Sequence, residues 1–307
     1  MTTVGFIGLG IMGGPMAANL VKAGFDVVGY NRSQVAVDRL RILGGRAARS
    51  AAEAASGAEV IITMLPDSPD VERVALGGQG ILAVARAGSI YIDMSTVRPA
   101  TSRALANAGH ERGIRVLDAP VSGGQQGAIE ASLSIMVGGE AADFEAATPV
   151  LSALGKTVVY VGPSGAGQTV KAANQLIVAG TIELVAEAIV LLEACGVNTE
   201  AAVSVLAAGL AGNRILDRKA AGMLARQFEP GFRVDLHHKD LGITLATARE
   251  AEVVIPLGAL TAQLMASLRS MGYGAFDHSA LIKVVEMLSG RSDLDTPRGK
   301  FERPDMR

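Results

Sequence analysis

The 307-residue chain sets 28 Lys and Arg against 30 Asp and Glu, for a formal net charge of -2, and 49% of its residues are hydrophobic. A near-neutral balance without a basic run argues against nucleic acid or an anionic membrane surface as the main partner, and the single cysteine, Cys195, can form no internal disulfide. The length exceeds what one core usually holds and predicts two domains. No positively charged leader with a signal-type apolar segment opens the sequence, so the expected compartment is the cytoplasm.

Val4, Phe6 and Ile7 form an apolar run short enough for a buried strand, and it leads into Gly8-Leu9-Gly10-Ile11-Met12-Gly13, a G-x-G-x-x-G. Gly8 permits a tight turn, Gly10 lets the backbone approach a diphosphate, and Gly13 lets the following helix pack closely on the strand. The N–H groups that start this helix then face the phosphates. Met12, Met16, Leu20 and Val21 recur at helical spacing until Gly24, and a second apolar run ends at Tyr30. This βαβ context turns a weak glycine triplet into a predicted dinucleotide site. At the end of the second strand an NAD-preferring site usually carries Asp or Glu, about twenty residues past the turn. Here Asn31 and Arg32 stand there. Asn31 can hydrogen-bond the ribose and the Arg32 guanidinium can grip a 2′-phosphate with two parallel bonds, so NADP(H) is favoured, with NAD(H) as the second candidate. The alternative for Arg32 is a solvated surface arginine.

Further strands are expected at 60–65, 89–93, 116–119 and 158–161, alternating with helical segments, which predicts an α/β fold with a doubly wound, mainly parallel sheet over 1–162. Gly162-Pro163-Ser164-Gly165-Ala166-Gly167 breaks the pattern. From there the periodicity is helical, predicting an all-α second domain over 163–290, joined by a long helix. Its apolar stretch 176–192 is rather short for a membrane span and carries Glu183 and Glu187 one turn apart, so a buried helix with one polar stripe is expected. The charged segment 291–307 reads as a mobile tail.

Loops at strand ends are the places to seek a ligand in an open sheet. Met64-Leu65-Pro66-Asp67 contains a proline that stops pairing so that backbone can pass a cofactor, although any turn would look the same. Asp93-Met94-Ser95-Thr96 offers two hydroxyls for a ribose or substrate oxygen, or for a helix N-cap. In Ala119-Pro120-Val121-Ser122-Gly123-Gly124 a hydroxyl followed by two glycines exposes successive N–H groups, a nest suited to a carboxylate. Lys171, Asn174 and Gln175 share one face of the helix that follows Gly165-Ala166-Gly167-Gln168, among apolar neighbours. A lysine there is either a packed stem with a snorkelling amine or a proton donor to a carbonyl oxygen. His237-His238-Lys239-Asp240 has poor metal-ligand geometry, so no metal site is assigned. Cys195 reads as a buried, inert thiol.

Four ordered segments, FIGLGIMGGPMAANL from Phe6, DAPVSGG from Asp118, GAGQTVKAANQ from Gly165 and KDL from Lys239, resemble the β-hydroxyacid dehydrogenase family over nearly the whole chain. The resemblance implies a Rossmann-type first domain; the helical second domain, rich in apolar faces and too small to cover the long helix fully, separately predicts a homodimer or homotetramer sharing helices across the interface. The resemblance also implies catalysis by Lys171 supported by Asn174, a substrate carboxylate held by Ser122, Gly123 and Gly124, and contacts from Thr96 and Lys239 to cofactor or substrate. The stretches IITMLPDSPDVERVALG, SLSIMVGG, GLAGNRILDRKA, FRVDLHHKDL and DHSAL are most like the members that reduce tartronate semialdehyde, whereas Asn31-Arg32 is more like the NADPH-using glyoxylate and succinic semialdehyde reductases. The competing class is a homologue that binds the nucleotide without turnover; the presence of Lys171, Asn174 and the Ser122 loop argues against it.

Overall fold

The structure is a computed structural model that describes residues 1–291; the remainder of the segment read as a tail, 292–307, lies outside the described residues. Among the described residues nine strands form one sheet: β1 (Thr3–Ile7), β2 (Asp26–Tyr30), β3 (Arg46–Ala47), β4 (Val60–Thr63), β5 (Ile90–Asp93), β6 (Arg115–Asp118), β7 (Val121–Ser122), β8 (Leu133–Gly138) and β9 (Gly155–Gly162). Their order is β3-β2-β1-β4-β5-β6-β8-β7, with β9 also paired to β8. Pairing is parallel from β3 through β6, antiparallel where β8 meets β6 and β7, and parallel again between β8 and β9.

The chain winds outward from β1 to β3 and then returns to place β4 on the other side of β1. That reversal opens a crevice beyond the carboxyl ends of β1 and β4, where open α/β sheets take their ligands. Adjacent residues along the central strands point to opposite faces. Ile62 and Ile92 therefore join Phe6, Met16, Leu20 and Leu117 in one buried cluster, while Ile61 and Tyr91 join Ile7, Val71 and Leu105 in the other. Covering both faces explains why these strands read as continuous apolar runs rather than as alternating ones.

Three strands go beyond the sequence expectation. β3 and β7 have two residues each, too few for any periodicity. β8 does alternate, burying Leu133, Ile135 and Val137 between half-buried Ser134 and Met136.

The chain divides into two compact units, Met1–Ile177 with Lys239–Ile255, and Val178–His238 with the chain from Pro256; the crossings at 177/178 and 238/239 fall within helices, and the third precedes the helix that starts at Pro256. The long helix Ala166–Ala194 starts in the first unit. It has the length and hydropathy of a membrane span, with 44% of its most apolar window buried. Its buried Gln168, Lys171 and Gln175 nevertheless hydrogen-bond to protein groups within the first unit, as a core helix requires. The expected polar stripe is incomplete, because Glu183 is buried beside exposed Glu187 while Ile177, Leu184 and Leu191 are more than 60% exposed. Burial and the neighbouring Glu187 charge push the Glu183 carboxyl up to about 7.

The second unit is helical among its described residues. Two ion-pair hubs stitch it together: Arg226 with Glu193 and Glu286 at 2.8 and 2.5 Å, and Lys219 with Asp277 at 2.8 Å. His237 and His278 are both buried, with Nδ1 atoms 2.9 Å apart and the Phe232 ring edge-on to each. The expected burial of Cys195 is corrected: it follows the last residue of the long helix and is exposed.

Candidate active site

The glycine turn follows directly from β1. Gly8 adopts φ 101, and a Cβ there would meet Met64 O at 2.3 Å. A Cβ on Gly13 would lie 1.8 Å from Gly8 O, so only glycine lets the helix Gly13–Lys22 start against the turn. A Cβ on Gly10 would meet nothing within 4 Å, leaving open space above this backbone. Leu9 is buried, whereas Gly10 and Ile11 are exposed and Met12 is half-buried. A tight turn, an open face and a helix N-terminus fit the diphosphate of a dinucleotide.

At the end of β2, Asn31 Oδ1 accepts from Leu9 N at 3.1 Å and Asn31 Nδ2 donates to Ser33 O at 3.4 Å. Asn31 therefore ties the glycine turn to the end of β2. Arg32 is exposed. The loop after β4 places half-buried Met64 and Leu65 before exposed Pro66, and Asp67 N-caps the next helix by accepting from Ser68 N.

The loop after β5 differs from both sequence alternatives at Ser95. This hydroxyl caps no helix; it donates to Asp93 Oδ1 at 2.6 Å and accepts from Leu65 N at 2.9 Å. Asp93 also accepts from Thr63 Oγ1 at 2.7 Å, and burial pushes its carboxyl up to about 6 against those hydrogen bonds. Thr96 is half-buried, and its carbonyl accepts from Lys239 Nζ at 2.6 Å.

Lys171 is buried on the long helix. Its Nζ donates to Val121 O at 2.8 Å and to Gln175 Oε1 at 3.2 Å. Val121 immediately precedes Ser122, Gly123 and Gly124; the latter two have φ 139 and 63, and the backbone turns there into the short helix Gly124–Ile129. The ammonium and the glycine nest are thus neighbours. Asn174 Nδ2 donates to the same Gln175 Oε1 at 2.7 Å, so Asn174 reaches Lys171 through Gln175. Gln175 Nε2 in turn donates to Asp240 Oδ2 at 2.6 Å. Lys239 Nζ lies 2.9 Å from Asp240 Oδ1, and Thr244 Oγ1 reaches Ala172 O at 3.2 Å, so the helix Val234–Glu250 contributes Lys239, Asp240 and Thr244 to this cluster.

An ammonium has three donors. Among the described residues, Val121 O and Gln175 Oε1 take two of them, leaving one for a substrate oxygen. Desolvation lowers Lys171 from 10.5 to about 8, with the Asp240 charge resisting and the Lys239 charge assisting that fall. The group is therefore protonated at neutral pH, yet close enough to titration to exchange its proton.

Of the residues expected to form the site, the structure gathers Lys171, Asn174, Thr96, Lys239 and the Ser122–Gly124 loop, with Gly8 to Gly13, Asn31 and Met64 to Pro66 along the ends of β1, β2 and β4. Gln168, Asp93 and Asp118 were not singled out for function. Their available signal was a carboxylate at the end of each of two strands, and an amide at the start of an apolar helix. Asn213 N-caps the helix Arg214–Leu224 through Ile215 N and Leu216 N.

A glycine cradle at a sheet reversal, together with a buried, hydrogen-bonded lysine at the adjoining strand ends, defines a nicotinamide-dependent dehydrogenase. The profile for the NAD binding domain of 6-phosphogluconate dehydrogenase matches residues 3–162, and that for the NAD-binding domain of NADP-dependent 3-hydroxyisobutyrate dehydrogenase matches 165–285. The chain is 40% identical over 286 residues to 2-hydroxy-3-oxopropionate reductase of Escherichia coli, covering 93% of this chain and 98% of the relative. It is also 40% identical over 271 residues to 3-hydroxyisobutyrate dehydrogenase of Pseudomonas aeruginosa, covering 86% and 91%. Among solved structures, 3-hydroxyisobutyrate dehydrogenase of Mycobacterium tuberculosis with L-serine superposes at a TM-score of 0.84, with 34% identity and coverage of 93% and 99%. The chain belongs to the β-hydroxyacid dehydrogenase family and is an NAD(P)-dependent oxidoreductase.

Proposed function

We propose that the protein reduces tartronate semialdehyde to D-glycerate, with Lys171 as the general acid. The observation that carries the reading is the Lys171 ammonium: buried, held by Val121 O and Gln175 Oε1, and retaining one donor beside the Ser122–Gly124 nest. The bound reduced nicotinamide supplies hydride. Ser122 and the N–H groups of Gly123 and Gly124 hold the substrate carboxylate, which sets the aldehyde oxygen towards Lys171. Lys171 stabilises and protonates the developing alkoxide. Asn174 and Asp240 both bond Gln175, which fixes the ammonium; Lys239 donates to Thr96 O, and the reading assigns this pair to contact the cofactor or substrate.

NADPH is the proposed physiological donor, because Arg32 is exposed at the end of β2 with no carboxylate at position 31 or 32 to repel a 2′-phosphate. A near-neutral charge supports a small-molecule substrate with neither nucleic acid nor membrane as partner, and a single cysteine suits the reducing cytoplasm. Exposed Ile177, Leu184 and Leu191 recur along one face of the long helix and support burial against a second copy, in a homodimer or homotetramer.

Initial rates of NADPH and NADH oxidation with tartronate semialdehyde, methylmalonate semialdehyde, succinic semialdehyde and glyoxylate test this reading. Preference for tartronate semialdehyde with NADPH is the expected result. A faster rate with another aldehyde replaces the substrate, and NADPH binding without turnover of any aldehyde replaces the enzyme reading.

A further inference from the structure

Gln168 is 1% exposed, the deepest polar side chain on the lysine helix. An amide so buried is costly unless both ends are satisfied. Here both are: Nε2 donates to Ser95 O at 2.8 Å and Oε1 accepts from Val97 N at 3.1 Å. Donating to the carbonyl before residue 96 and accepting from the N–H after it copies what one residue of a parallel neighbouring strand would do. The side chain thus extends sheet-like pairing beyond the end of β5, into a loop that pairs with no strand among the described residues.

The bonds continue on both sides. Towards β4, Ser95 Oγ accepts from Leu65 N and donates to Asp93, which also accepts from Thr63 Oγ1. Towards β6, the Gln168 backbone N–H donates to Asp118 Oδ2 at 3.0 Å, and Asp118 Oδ1 accepts from Gly165 N at 2.7 Å. Gly167 lets the first turn of the helix seat there, since a Cβ on it would meet Met136 O at 2.4 Å and Asp118 O at 2.8 Å. One hydrogen-bonded path therefore joins the loops after β4 and β5, the end of β6 and the helical turn directly before Lys171.

We propose that Gln168 is a positioning residue for the reduction, a brace that holds Lys171 in register with the loops at Leu65 and at Ser95 to Val97. This rests on the reading of Lys171 as general acid and of those loops as the cofactor's border. Gln168 touches neither substrate nor cofactor and acts through Lys171.

The test is Gln168→Met, which keeps the volume and removes both bonds, made alone and together with Lys171→Ala, with NADPH and the aldehyde that is reduced fastest. A displacement of about 1 Å can cost about 10²-fold in rate, so Gln168→Met should lower kcat by about that factor. The NADPH dissociation constant, read from cofactor fluorescence, should change by less than about threefold, and adding Gln168→Met to Lys171→Ala should cost almost nothing more. Gln168→Glu provides a second readout that a purely structural role would not move, and it carries the test if Gln168→Met does not fold. A protonated carboxyl can restore both bonds, so its deficit relative to the wild type should narrow as pH falls.

A kcat for Gln168→Met within twofold of wild type overturns the proposal. So does a loss that multiplies with that of Lys171→Ala, or a Gln168→Glu deficit that stays constant with pH. Full turnover by Lys171→Ala alone would instead remove the reading of Lys171, and is visible without any Gln168 variant.

Discussion

The surroundings of Lys171 and those of Arg32 solve opposite problems. Around Lys171, Gln168, Gln175 and Asp240 are each less than 5% exposed, and named hydrogen bonds fix the side chains in place. At the end of β2, Asn31 makes two bonds to nearby backbone, and Arg32 projects from an exposed position. Proton transfer depends steeply on the placement of one atom, whereas a phosphate at the rim needs mainly a long, permanently charged fork. The contrast teaches that this fold fixes its chemistry in the interior and leaves its cofactor choice on a surface that one substitution can change.

The comparison breaks most sharply at the buried end. Lys171→Ala should lower kcat by roughly 10²- to 10⁴-fold, the scale of general acid–base catalysis, while NADPH binding measured by fluorescence persists. The next largest effect is expected at the glycine turn. Gly13→Ala would press a Cβ against Gly8 O, at 1.8 Å before relaxation, so the turn must open. A loss of about 1–3 kcal/mol of stability is expected from such overpacking, with weaker NADPH binding, and thermal unfolding with and without NADPH checks both. Unchanged Tm and binding would mean that the turn has more room than its backbone suggests.

The two regions also differed in how much the sequence disclosed. The glycine turn, Asn31 and Arg32 were legible because they lie within one βαβ unit, where spacing along the chain fixes position in space. Lys171, Asn174 and Gln175 were legible as one helix face, but not their partners, since Val121 is 50 residues from Lys171 and Asp240 is 65 from Gln175. Resemblance to the family supplied the role of Lys171; the residues alone left it between a snorkelling amine and an acid. The partners of Ser95 are hidden from the sequence in a similar way, since Leu65 lies 30 residues away. The sequence context of Ser95 suggests a cap or a ligand contact, whereas its Asp93 and Leu65 partners make it an internal tie. The long helix shows the converse limit, because composition identified it but could not show that Ile177, Leu184 and Leu191 would remain exposed.

At the rim the expected effect is smaller and selective. Arg32→Ala should raise KM for NADPH about 10- to 10²-fold, the equivalent of losing a charged hydrogen bond worth about 1.5–3 kcal/mol, and leave KM for NADH nearly unchanged. Equal changes with both cofactors would show that Arg32 does not read the 2′-phosphate and would return it to the solvated surface.

The pH profile sharpens the comparison at its finest scale, because it reports on Lys171 without removing it. Reduction needs the ammonium, so kcat for reduction should fall as pH rises through about 8, and alcohol oxidation, which needs the free amine, should rise through the same range. Desolvation sets the lowered value, and the Asp240 charge holds it up against the Lys239 charge. Asp240→Asn removes that negative charge, so the ammonium loses support and both midpoints should move to lower pH, by up to about one unit. The amide can still offer an oxygen to Gln175 Nε2, so the hydrogen-bonded path survives while its charge does not. A midpoint that stays in place would mean that burial alone tunes Lys171 and that Asp240 serves only to orient Gln175. A shift to higher pH would contradict the assigned sign of the Asp240 interaction.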